Sequence, residues 1–130
     1  MVLSKDVPSS PDDEHVSYRY ARVLGVYHAN VIFLGSGMVD YTPIRMEFLW
    51  VRWYELVSGR HLPWTARKLD RVRFPPLADD GSFGFIDPSD VLRGCHIVPA
   101  FSQGKRHPDG KGVSLLAKDA NDWKEYYLNR

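Results

Sequence analysis

Two stretches limit what this chain can fold into. Tyr18–Leu34, YRYARVLGVYHANVIFL, and Ile44–Val57, IRMEFLWVRWYELV, are crowded with β-branched and aromatic residues and show no 3.6-residue period. In the second stretch Met46, Phe48, Trp50, Arg52 and Tyr54 share one face of a strand, and Glu47, Leu49, Val51 and Trp53 share the other. Both faces are apolar in the middle, so this strand is expected to be central and covered on both sides. Pro43 and Gly59 bracket it at strand length. The first stretch is far longer than a typical strand of ~5–6 residues. Gly25 and the Ala29-Asn30 pair are natural places for a bulge or break. Two strands are expected there, or one long bent strand that turns a barrel corner. Gly35-Ser36-Gly37 then forces a loop.

The rest of the chain reads as short elements. Ala66–Phe74, ARKLDRVRF, alternates Arg67, Leu69, Arg71 and Arg73 with Lys68, Asp70, Val72 and Phe74, which predicts an edge strand with a charged outer face ended by Pro75-Pro76. Ser82–Ile86 is a short aromatic strand. Asp87 is placed to cap a helix with Pro88 at its first position, and Gly94 is expected to stop it. Cys95–Ala100 reads as a buried strand, residues 102–112 as a mobile polar loop, and Val113–Ala117 and Trp123–Leu128 as further strands. Residues 1–15, rich in Pro, Ser and Asp, are expected to be a disordered leader before one domain spanning residues 16–130. The chain stops at Arg130 inside a strand, as if cut from something longer. About six short strands, one short helix and no βαβ alternation predict a mostly-β fold, a small antiparallel barrel or sandwich.

Composition narrows the setting. Seventeen aromatics in 130 residues suit a compact core. The lone Cys95 excludes a disulfide framework and any multi-cysteine zinc site, and points to a reducing compartment. No apolar run approaches the ~20 residues that span a bilayer, and the N-terminus has no secretory core, so neither a membrane partner nor secretion is expected. Charge is uneven: net −3 over residues 1–15, +5 over 16–74, −4 over 75–90 and +3 over 91–130. A basic centre flanked by acidic stretches hints at an acidic partner.

Motifs for chemistry are missing. The five histidines, His15, His28, His61, His96 and His107, include no i, i+4 pair and no HExxH. A site assembled in space from His28, His96 and the Asp79, Asp80, Asp87 and Asp90 group stays open as a minor hydrolase reading. Cys95 and His96 are neighbours on a strand and point to opposite faces, so they form no Cys-His dyad. The glycine-rich segments 35–37 and 81–84 lack the Lys and Ser/Thr of a phosphate loop. No catalytic residue, cofactor, metal or small-molecule substrate is expected. Two binding surfaces remain. Trp50, Trp53 and Tyr54 can form an aromatic surface, even a cage for a methylated ammonium, or simply a barrel core. Arg67, Lys68, Arg71 and Arg73, with Lys105, Arg106 and Lys111, can face phosphates, or form a solvated outer face.

The segments RYARVLGVYHANV, MEFLWVRWYE, FGFIDPSDVLRGCHIVPAF and DWKEYYLNR closely resemble the C-terminal region of Plavaka-type transposon proteins, the CACTA-like, transposase-bearing proteins of mushroom-forming fungi. The likeness covers most of residues 16–130. In that family this region follows a large catalytic part that this sequence lacks, so transposase activity does not carry over. The order of VLGVYH, WVRWYE and VLRGCHIV also looks like that of bromo-adjacent homology domains, β-barrel modules of chromatin proteins that bind nucleosomes, histone tails or other proteins. The resemblance implies a nuclear, non-catalytic interaction module that binds chromatin protein or duplex DNA. Trp53 and Tyr54 would supply its aromatic surface, and Arg67, Arg71 and Arg73 its charge. A scaffold or oligomerising domain that packs against the transposase body is the alternative.

Overall fold

The first aromatic stretch forms a single strand that folds back on the second as a long antiparallel ribbon. A computed structural model describes residues 2–5, 18–35, 37–58 and 68–129. The strands are β1 (Val2–Lys5), β2 (Tyr18–Gly35), β3 (Met38–Trp53), β4 (Glu55–Leu56), β5 (Asp70–Arg73), β6 (Phe83–Ile86), β7 (Val91–Gly94), β8 (His96–Pro99) and β9 (Tyr126–Asn129). Two 3-10 turns, Pro88–Asp90 and Phe101–Gln103, complete the regular structure of the described residues. The strands form two antiparallel sheets, ordered β6-β3-β2-β1-β7 and β4-β5-β9-β8.

Two irregularities bend the ribbon. Val23 pairs with Val51 and Gly25 with Trp50, leaving Leu24 as an extra residue. Further out, Val31 pairs with Ile44 and Phe33 with Asp40, so Ile32 alone faces residues 41–43. Pro43, with no N–H to donate to a ladder, falls in that irregularity. Gly37 turns the ribbon with a φ of 79°, a conformation that side chains with a Cβ disfavour.

Three connections carry the chain from one sheet to the other: residues 74–82 between β5 and β6, and two single-residue links. Tyr54 lies between β3 and β4 and donates its N–H to the Tyr20 carbonyl at 2.9 Å. Cys95 lies between β7 and β8 in the same way. Such bends make the corners where strands switch sheets. The Pro88–Asp90 turn links β6 and β7, the opposite edges of the first sheet, and packs against β3. Asp87 caps this turn by accepting from Ser89 N at 2.9 Å, and Pro88 stands at its start as the sequence implied.

Alternation along β2 separates two cores. Tyr20 faces the second sheet and packs with Val72, Phe74, Tyr126 and Leu128. Ala21 faces the other way and packs with Leu49, Val51, Ile86, Val23, Trp53 and Val91.

Several expectations change. Val2–Lys5, placed in a disordered leader, runs as β1 between β2 and β7; residues 6–17 lie outside the described residues. β5 is not an edge strand, because β4 and β9 flank it; its charged outer face holds, with Arg71 and Arg73 exposed and Asp70 and Val72 buried. The helix after Asp87 ends at Asp90, because the chain turns extended at Val91 and pairs as β7, so Gly94 ends a strand. Cys95–Ala100 is not a buried strand: β8 is an edge strand that alternates exposed and half-buried residues. Val113–Ala117 is a turn rather than a strand. The mostly-β, antiparallel character stands, and among the described residues no ladder joins the two sheets.

Candidate interaction surfaces

Arg52 is the charged residue among the apolar side chains of its β3 face, and the fold gives it a buried partner. It is 1% exposed and donates from Nη1 to Asp122 Oδ2 at 2.5 Å; Asp122 is fully buried. Arg22, paired with Arg52 across β2 and β3, donates to Asp122 Oδ1 at 2.9 Å. One carboxylate therefore holds two guanidiniums between the sheets. Both cations also lie over the Phe74 ring, Arg52 at 3.9 Å and Arg22 at 4.6 Å from its centroid. Burial works against the Arg22 charge, but Tyr54, Asp122 and Tyr126 outweigh it and raise its pKa. Burial pushes the Tyr54 phenol well above its ordinary range, with Arg22 pulling the other way. The ring of Phe74 and the carboxylate of Asp122, which could hold a foreign ammonium between the sheets, are thus occupied by the protein's own arginines.

The three aromatics expected to share a surface lie in three different settings. Tyr54 is core: it stacks on Phe74 with centroids 4.0 Å apart and meets Tyr126 edge-on. Trp53 is half-buried in the other core, and the Arg19 guanidinium sits 3.8 Å over its ring. Trp50 alone joins an accessible aromatic group, stacked on Phe83 at 5.2 Å and tilted against Phe85 at 4.8 Å.

That group continues outward. Phe85 meets Phe48 edge-on at 5.3 Å, and Phe48 stacks on Tyr27 at 5.8 Å. Cross-strand pairing places Tyr27, Ala29 and Val31 of β2, Ile44, Met46, Phe48 and Trp50 of β3, and Phe83 and Phe85 of β6 on one face. None of them is charged. Phe85 is 68% exposed, Ile44 53% and Tyr27 51%. The opposite face of the same ribbon carries His28, Asn30, Arg45 and Glu47. Beside the root of this face, Lys118 donates from Nζ to the Leu24 carbonyl at 3.2 Å and fixes a turn that displays Leu115 and Leu116 to solvent. Asp119 braces that turn by accepting from Val113 N at 2.8 Å and Ser114 N at 3.0 Å. Burial opposes the Asp119 charge, but those N–H groups hold its carboxyl below the usual range.

The basic residues are largely engaged. Arg71 pairs with Glu125 at 2.9 Å and Arg73 with Glu55 at 2.8 Å. Arg106 donates to the Phe74 carbonyl at 2.9 Å, and Lys105 lies 5.6 Å over Trp123. Lys68 and Lys111 are exposed, and Arg67 lies outside the described residues. Each ion pair takes one cation from the surface offered to phosphates.

The hydrolase reading is not assembled. His28 and His96 are exposed on different sheets, and Asp79 and Asp80 are exposed in a turn. Asp87 spends its carboxylate on Ser89, whose N–H and hydroxyl lower its pKa. His15 and His61 lie outside the described residues. His107 Nε2 lies 3.3 Å from Asp119 Oδ2, but that carboxylate is already bound to the turn it braces. Cys95 is half-buried against the first core, and burial pushes its thiol up. Among the described residues, no three His, Cys, Asp or Glu gather to hold a metal ion, and no helix is long and apolar enough to cross a membrane.

The residues that sequence reasoning missed are Arg22, Asp119 and Asp122. Arg52 on an apolar strand face was the available signal, since a buried arginine needs an anion. The anion itself is 70 residues away in a turn. Comparison with protein-family models, curated proteins and solved structures finds no match to this chain.

Proposed function

We propose that this chain is a non-catalytic protein-binding module that docks through the uncharged aromatic face of the β2–β3 ribbon. The observation that carries this is the face itself: nine apolar side chains on three paired strands, with Phe85 of the edge strand β6 68% exposed beside Phe48 and Trp50. Large exposed apolar patches on folded proteins mark interaction sites. Desolvating such a face favours a protein partner over nucleic acid, whose phosphates are recognised by free cations. The Arg71–Glu125 and Arg73–Glu55 pairs weigh the same way.

The transposon likeness supports a nuclear setting and two protein partners, nucleosomal histones and a transposase body. Chromatin protein is the first reading, because the order of elements looks like that of bromo-adjacent homology domains. A barrel is part of this proposal. Counting β3/β4 and β7/β8 as bent strands, the ladders run β7/β8, β1, β2, β3/β4, β5, β9 and back, around the core of Tyr20, Phe74 and Tyr126.

The test is binding of the 130-residue chain to histone octamers, to nucleosomes and to a short duplex, each with and without Phe85→Glu. Histone or nucleosome binding that Phe85→Glu abolishes is the expected result. Binding to bare duplex that falls steeply with salt and with Arg71→Glu, and ignores Phe85→Glu, would replace it with the DNA reading.

A further inference from the structure

We propose that, when no chromatin partner is bound, the aromatic face is occupied by a second copy of this chain, in a face-to-face dimer related by a two-fold axis. This rests on the protein-docking reading above, with the second copy and the chromatin partner competing for one face.

Beyond Val26 and Leu49 the ribbon has no third strand among the described residues: β1 pairs only with Tyr18–Ala21, and β6 only with Leu49–Arg52. A lone two-stranded ribbon is marginally stable in water, and becomes stable when its apolar face is packed. The edges of this ribbon are poorly suited to accept another strand. Two register shifts bend it, and Pro43 removes a donor from β3. The face remains as the surface to cover.

Charge argues for self-association. A two-fold interface sets residue i against j and j against i, and a residue near the axis against its own copy, so a charge near the axis would meet a like charge. Among the described side chains, the nine of this face are uncharged, whereas the opposite face presents Arg45 and Glu47. Homodimer interfaces are more apolar than transient ones, as this face is.

Area argues for a dimer of moderate strength. Tyr27, Ile44, Met46 and Phe85 are each at least half exposed. With the partly exposed rings beside them they offer on the order of 600 Å² per copy. A standard interface takes about 800 Å² per partner, so the pair is expected to dissociate in the micromolar range. Two ribbons stacked with sheets about 10 Å apart would give a four-stranded sandwich.

Sedimentation equilibrium of the whole chain from about 1 to about 100 µM tests this. A monomer–dimer equilibrium is expected, weakened at least about tenfold by Phe85→Glu and by Met46→Lys separately. Circular dichroism of both variants must match the parent, and Val98→Ser, on β8 of the other sheet, must leave the equilibrium unchanged. A chain that stays monomeric at the top concentration overturns the dimer, as does a dimer that neither ribbon variant weakens. If the chain is monomeric while histone binding still depends on Phe85, the docking reading stands and the dimer alone falls. If the dimer forms and responds to Phe85→Glu while histones and nucleosomes do not bind, the dimer stands and the chromatin reading falls.

Discussion

Arg52 and Asp122 meet at 2.5 Å between the two sheets, 70 residues apart in sequence and both shut off from water. Arg22 takes the second carboxylate oxygen at 2.9 Å. The second sheet is thus tied to the first through one side chain in a turn. Removing that side chain strands a buried cation, and buried ions without partners are strongly destabilising.

Asp122→Ala is therefore expected to lower stability by about 3–5 kcal/mol, a large share of what a domain of this size possesses. Arg52→Met should lose at least ~1 kcal/mol less, because Asp122 keeps Arg22 and the methionine still covers Phe74. Urea denaturation of the two variants side by side checks the order; equal losses would mean that Asp122 is not the point where the charges balance.

The turn at residues 113–119 should loosen in acid. The folded-state pKa of Asp119 lies below its ordinary value of 3.8. Its contribution is therefore complete above that ordinary value and is lost as pH falls through the lower folded one. Protection of the Val113 and Ser114 amides against exchange, relative to the intrinsic rate at each pH, should drop on acidification below pH ~4, and Asp119→Ala should remove the same protection at neutral pH.

The ion pairs that occupy β5 should contribute little to stability. Arg71 and Glu125 are partly exposed, so a double-mutant cycle to alanine is expected to give a coupling below about 1 kcal/mol that shrinks with salt. Their effect on binding is larger in principle: Glu125→Gln frees Arg71, and any affinity for duplex DNA should rise with it.

Leucine position separates display from core. Leu115 is 97% exposed, and Leu115→Ser should change stability by no more than about 0.5 kcal/mol. Leu128 is buried in the core between the sheets, and Leu128→Ala should cost about 2–5 kcal/mol. Thermal melts of the two variants check the contrast.

Much of the local structure was legible because strand physics is local. Stretches rich in Val, Tyr, Ile and Phe marked β2 and β3, although β3 begins at Met38 and the expected Ile44–Val57 strand breaks at Tyr54; Gly25 marked the first bulge whereas Ala29-Asn30 pairs regularly, and Asp87-Pro88 marked a capped turn. The weaker readings failed where neighbours decide. CHIVPA is apolar enough for a buried strand, yet β8 lies at a sheet edge. VSLLA has strand composition, yet the N–H groups of Val113 and Ser114 go to the Asp119 side chain, leaving no ladder to join. The leader read as disordered contains β1 because β2 and β7 offer it partners on both sides.

By itself, the sequence determined that this chain makes antiparallel β-structure, and that one face of its strongest strand carries Met46, Phe48 and Trp50. Side-chain alternation is a property of the extended backbone and needs no tertiary information. Only the tertiary structure decided what each face meets. It turned Arg52 inward to an acid from the far end of the chain, buried Tyr54, covered Trp53 with Arg19, and left Phe85, Phe48 and Tyr27 at the surface. Burial and charge pairing depend on contacts between residues distant in sequence, and no local pattern encodes them.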